Sequence, residues 1–200
     1  MLKNAIQLAA VALAGILVAS CSDKGPADTA LKAADQAVSS VQGEAAKFAP
    51  DQFKSLSDSL AAAKDSFQKG DYTAALNAAQ AIPAKATAVA QAARARKGEL
   101  TKSWADLSAT VPSLVEQIRG KLDSLAKMKK LPKGMDKAKV EEARTAFEGA
   151  SKTWGDASDA FKAGNLADAV AKANDVKARA GDIAKGLGME AASAAPAAAR

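Results

Sequence analysis

The chain has 200 residues, with 28 Lys plus Arg against 22 Asp plus Glu, a formal net charge of +6 and no histidine. Missing histidine removes the commonest general base and metal ligand, and with it Ser-His-Asp and Cys-His nucleophile systems. One Tyr, two Trp and 4% aromatics offer little for bases to stack on, so nucleic acid is not an expected partner.

The first twenty residues divide into the parts of a signal peptide. Lys3 supplies a positive start, and Ala5 to Val18 is apolar apart from Gln7 and Gly15. That run is too short and too rich in Ala for a transmembrane span. It ends in Val18-Ala19-Ser20-Cys21, which resembles the lipobox of bacterial lipoproteins: a branched apolar residue, two small residues, then the cysteine whose thiol accepts diacylglycerol. The alternatives are an ordinary signal peptide with an incidental cysteine, or an uncleaved anchor. Cys21 is the only cysteine, so no intramolecular disulfide can form. Acyl chains at Cys21 would each bury many methylenes at ~0.8 kcal/mol apiece, enough together to hold the chain on a membrane. By resemblance to enterobacterial sorting rules, Ser22 rather than Asp after the cysteine implies the periplasmic face of the outer membrane. The inner membrane is the alternative.

Removing Lys3 leaves an excess of five positive charges on the remaining chain, dispersed as on a solvated helical surface. Residues 21–27, with Gly25-Pro26, are expected to form a lipidated tether. Beyond them apolar residues recur at alternating three- and four-residue steps, the spacing of a helix facing a bundle seam. Leu31, Ala34, Val38, Val41, Ala45 and Phe48 trace a first helix, broken at Ala49-Pro50-Asp51. Phe53, Leu56, Leu60, Ala63 and Phe67 trace a second, ending at Gly70. Tyr72, Ala75, Ala79, Ile82, Ala86 and Val89 predict a third, kinked at Pro83 and ended by Gly98.

Trp104, Leu107, Val111, Leu114, Ile118, Leu122 and Leu125 predict a fourth helix, kinked at Pro112, before the turn Leu131-Pro132-Lys133-Gly134. Val140, Ala143, Phe147, Ala150, Trp154, Ala157 and Phe161 trace a fifth. After Gly164-Asn165, a sixth runs through Leu166, Ala169, Ala173, Val176, Ala180, Ile183 and Leu187. The expected fold is all-α: an antiparallel up-down bundle of about six helices, with residues 28–98 and 99–187 as two halves and 188–200 as a frayed tail.

A repeat runs through both halves. Phe67-Gln68-Lys69-Gly70-Asp71-Tyr72, followed by Ala75-Leu76 and Ala79, matches Phe161-Lys162-Ala163-Gly164-Asn165-Leu166, followed by Ala169-Val170 and Ala173. The pattern is that of a duplicated helical hairpin, each copy preceded by one more helix. The segment Gly70-Asp71-Tyr72-Thr73-Ala74-Ala75-Leu76 resembles the turn of a tetratricopeptide repeat over about a dozen residues per copy, but the copies are spaced well beyond the ~34-residue period of that family.

Residues 30–95 as a whole, with Phe48-Ala49-Pro50-Asp51, Leu56 to Ala63, Phe67 and Gly70-Asp71-Tyr72, resemble a family of uncharacterised bacterial envelope lipoproteins. That resemblance implies a helical-hairpin domain with no defined catalytic residues. Some members sit beside a peptidoglycan-binding domain, which is not expected here.

Chemistry-bearing residues are few. Glu141 and Glu142 point about 100° apart on a helix and make no dyad. Asp156 and Asp159 share a helical face but are expected to meet water. No Gly-rich phosphate loop is present. The chain is therefore expected to be no enzyme, with no metal and no cofactor beyond acyl chains on Cys21. Trp104 and Trp154 fall on seam positions of neighbouring helices, where packing is the default role and a ligand platform the alternative.

Lys127, Lys129, Lys130, Lys133, Lys137 and Lys139 cluster around the fourth turn, broken only by Asp136. In an up-down bundle starting at the lipid, that turn would return to the membrane-proximal end and could touch anionic headgroups. The other reading is a solvated loop.

These residues favour two functional classes over a third, a cell-wall hydrolase or transferase, which would need a paired-carboxylate or nucleophile site that the sequence does not offer. One is a non-enzymatic structural or interaction module of the envelope, anchored to the membrane by lipid, with an envelope protein or peptidoglycan as partner. The other is a ligand- or client-binding module with an Ala-lined groove opened at Pro83 and Pro112, for which Leu76, Val115 and Val170 are the candidate exposed apolar residues.

Overall fold

A computed structural model describes residues 24–189. They form five helices: α1 (Lys24–Phe48), α2 (Pro50–Gln68), α3 (Tyr72–Lys127), α4 (Lys137–Lys162) and α5 (Leu166–Gly186). No strand forms among them. The leader, Cys21 and the tail from 190 onward lie outside the described residues.

Two expectations about helix ends change. Among the described residues α1 begins at Lys24, so Gly25 and Pro26, expected in a tether, lie within a helix. More consequentially, the break expected at Gly98 is absent, and the predicted third and fourth helices are one helix of 56 residues. The chain therefore has five described helices where six were expected.

The reason lies in the neighbours of each glycine. Gly70 and Gly164 take φ of +83° and +78°, and each precedes Asp71 or Asn165, residue types suited to opening a new helix. Gly98 is not among the positive-φ glycines. It sits between Ala92-Ala93-Arg94-Ala95-Arg96-Lys97 and Glu99-Leu100, strong helix formers that tolerate one glycine at about 1 kcal/mol. Pro83 and Pro112 do not terminate α3 either, and both are exposed on it.

The chain divides between Arg96 and Lys97, inside α3, into two compact units. In the first, α1 and α2 are joined by Ala49 alone and run antiparallel. The ion pair from Lys64 Nζ to Asp35 Oδ1, 2.6 Å, joins residues at similar distances either side of that joint. The start of α3 runs parallel to α1: Lys24 Nζ lies 5.9 Å from the Tyr72 ring centre, and Arg94 Nε lies 3.9 Å from Glu44 Oε2. Leu31, Ala34 and Val38 from α1, Leu56, Leu60 and Ala63 from α2, and Ala79, Ile82, Ala86 and Val89 from α3 close one core. Full burial of Leu56 and Ile82 contributes about 1.5–3 kcal/mol each, and the alanines between them let the helices approach closely.

The second unit has the same up-down-up order, made by the later part of α3, α4 and α5. Trp104 of α3 meets Trp154 of α4, and Arg119 of α3 lies over the Phe147 ring of α4 at 5.8 Å, an antiparallel pairing. Helix α5 packs back on α4 after a three-residue turn. Ile118, Leu125, Val176 and Leu187 are fully buried here. In neither unit is a polar or charged residue buried among the described residues.

Both tight turns close with one hydrogen-bond pattern. Gly70 N donates to Phe67 O and Asp71 N to Ser66 O; Gly164 N donates to Phe161 O and Asn165 N to Ala160 O. This paired arrangement satisfies carbonyls that a helix end leaves open, and it needs the left-handed residue that glycine supplies.

Candidate functional site

The six lysines around the α3–α4 connection all stand exposed in the second unit. Lys127 closes α3, where its charge complements the helix dipole. The connection then turns through Pro132-Lys133-Gly134-Met135, with Met135 N donating to Pro132 O at 3.1 Å and Gly134 at φ +88°. A positive φ at the third position is what a type II turn requires. Asp136 opens α4 by accepting a hydrogen bond from Lys139 N at 2.8 Å.

Lys139 Nζ donates to Gly134 O at 2.9 Å. Lys127, Lys129, Lys130, Lys133 and Lys137 have no ion-pair or hydrogen-bond partner for their ammonium groups among the described residues. Elsewhere many lysines are paired with carboxylates on their own helix, as Lys32 is with Asp28 and Lys54 with Asp58. The connection thus holds a local excess of five positive charges, six lysines against Asp136.

Apolar surface lies beside these charges. Met128 is 47% exposed, and Leu131 and Met135 are half-buried. A shallow recess of about 260 Å³ has Leu125, Leu131 and Val140 on its floor and Met128, Lys137, Glu141 and Arg144 at its rim. Sequence periodicity missed Met128 because it lies just past the end of α3, where a seam pattern no longer applies. The turn signal at Leu131-Pro132 was the available cue.

A second recess, of about 350 Å³, lies in the first unit between α1 and α3. Ala37, Val41, Pro83, Ala86 and Ala90 give it apolar walls, and Ser40, Thr87, Gln91 and Arg94 edge it. Pro112 does not line it. The three apolar residues expected to project from the seam are covered: Val115 and Val170 are buried and Leu76 is half-buried. A one-face reading of the helix failed there because each unit places neighbours on two sides of its helices.

The remaining candidates resolve into surface or packing. Glu141 lies 3.9 Å from Arg144, and Asp159 accepts a hydrogen bond from Lys162 at 3.3 Å. Glu142 and Asp156 are exposed. No group of three or more Cys, Asp or Glu side chains capable of holding a metal ion occurs among the described residues. Trp104 is sandwiched between Trp154 and Phe161, at ring-centre distances of 5.8 and 4.6 Å. Phe161, expected on the seam, is 43% exposed and packs through its face on Trp104.

No helix among the described residues is long and apolar enough to cross a membrane. No protein-family profile, curated protein or solved structure matches the chain.

Proposed function

We propose that the chain is an exported lipoprotein, held by acyl chains on Cys21 at the periplasmic face of the outer membrane, whose helical body is a non-enzymatic interaction module of the cell envelope. The observation that carries the reading is Val18-Ala19-Ser20-Cys21 at the end of an apolar leader. The absence of histidine from the sequence supports a binding role over catalysis. An envelope protein or peptidoglycan is the proposed partner, as the resemblance to envelope lipoproteins implies.

Growth with labelled palmitate tests the anchor. The native chain takes up label and a Cys21→Ala chain does not; equal labelling of both, or of neither, overturns the reading.

We also read the two units as copies of one three-helix unit. Ala63, Ala75, Ala79, Ile82, Ala86 and Val89 are buried, and so are Ala157, Ala169, Ala173, Val176, Ala180 and Ile183, each 94 positions later. Ala27, Leu31, Ala34, Val38 and Ala45 are matched by buried Leu100, Trp104, Leu107, Val111 and Ile118, each 73 positions later. The two offsets differ by 21 residues, which fall between Ile118 and Ala157.

A ligand- or client-binding role is the second reading, favoured by the apolar recess beside Pro83. Saturable binding of an apolar dye, abolished by Ala86→Trp and Ala90→Trp, would favour it over the first.

A further inference from the structure

On the two-copy reading, 21 residues between Ile118 and Ala157, the connection 128–136 among them, have no counterpart in the first unit, where Ala49 alone joins α1 to α2. All six clustered lysines lie in or beside that connection. The first unit closes its core without any such extension.

We propose that this extension is a membrane-docking tip for an anionic phospholipid bilayer, with Met128 and Leu131 entering the boundary between headgroups and acyl chains. Three observations point to that occupant. Five ammonium groups are unpartnered and exposed, so binding an anionic surface breaks no internal ion pair. The apolar side chains at the tip are few and partly exposed, as suits shallow entry into an interface and not a span.

The third observation is the choice of cation. Between 127 and 139 every basic residue is lysine. An ammonium is a point charge on a flexible stem, matched to mobile lipid phosphates, whereas docking to fixed carboxylates of a protein favours the bidentate fork of arginine. An acidic protein surface is therefore the disfavoured occupant.

Docking does not require the tip to stand near the acyl anchor. The bilayer can be the one that holds the anchor or another. The extension is distinguished by the two-copy reading of the units, but its charge and exposure stand without that reading.

The test uses the lipidated full chain with Met128→Cys carrying a polarity-sensitive fluorophore, reconstituted in phosphatidylcholine vesicles with or without phosphatidylglycerol. A lipid-borne quencher placed just below the headgroups should quench the probe several-fold more in anionic than in neutral vesicles, and high salt should abolish the difference. Combined Lys129→Gln, Lys130→Gln and Lys133→Gln should remove most of that difference between anionic and neutral vesicles.

Equal quenching in both vesicle types, no quenching in either, or a preference untouched by the glutamines overturns the proposal. A probe on exposed Ala171 of α5 should stay unquenched throughout; quenching there equal to that at 128 also overturns it. Failure of the lipid-anchor reading is separately visible, because a free Cys21 thiol would take a second fluorophore, and flotation of the unanchored chain would still report on the tip.

Discussion

The indole rings of Trp104 on α3 and Trp154 on α4 lie nearly parallel, 7° apart, with centres separated by 5.8 Å. Trp104 is buried between Trp154 and Phe161, so it is the ring on which this end of the second unit depends. Trp104→Ala should destabilise the protein by about 3–5 kcal/mol, as removal of a large buried aromatic does. Trp154→Ala should cost less, because that ring is half-buried. A double-mutant cycle by urea denaturation should return a coupling of about 0.5–1.5 kcal/mol. Additive losses would mean that the rings do not meet in solution.

Three glycines give opposite signs for one substitution. Gly98 lies inside α3 with open space where a Cβ would go. Gly98→Ala should therefore raise stability by about 1 kcal/mol. Gly70 and Gly164 also have open space, but their φ is positive, and alanine there should cost about 1–2 kcal/mol. Thermal unfolding of the three variants checks this, and a destabilising Gly98→Ala would indicate a turn in place of the continuous helix.

The two tight turns differ at their caps. Asp71 Oδ1 accepts a hydrogen bond from Ala74 N at 3.0 Å, whereas Asn165 makes no side-chain cap. Asp71→Ala should cost about 1 kcal/mol, and Asn165→Ala should change stability by much less. Comparable losses at both positions, measured by denaturant midpoint, would contradict the asymmetry.

Removing residues 122–142 tests whether the extension is separable from the scaffold. Joining Lys121 to Ala143 recreates the local order of Phe48-Ala49. The buried side chains removed include Leu122, Leu125 and Val140. Leu125 and Val140 share the recess floor with Leu131, also removed. The shortened chain should keep helical circular dichroism in proportion to its length and unfold cooperatively. Loss of cooperative unfolding would show that the extension belongs to the core of its unit.

Much of the helical pattern was legible because a 3.6-residue period leaves one apolar stripe per helix, and that stripe can be read without knowing what covers it. Leu56, Ala63, Ile82, Val111 and Val176 were found on this basis, and each is buried. The turns at Gly70 and Gly164 were equally legible, since a left-handed glycine followed by Asp or Asn is a local signal. The repeat that joins them could be read for the same reason.

What local pattern could not decide was whether a glycine or proline ends a helix. That balance compares about 1 kcal/mol for a glycine, or about 3 kcal/mol for a proline, with packing on both sides, and packing belongs to the tertiary structure. Gly98 was misjudged on that account. Which residues face outward depended likewise on how many neighbours a helix has. Val115 and Val170 proved covered, while Met128 stands at the surface. The residue types and their period determined the helices and the lysine-rich connection; only the packing decided that α3 is continuous and that an apolar tip stands among those lysines, because burial is a property of neighbours and not of the residue itself.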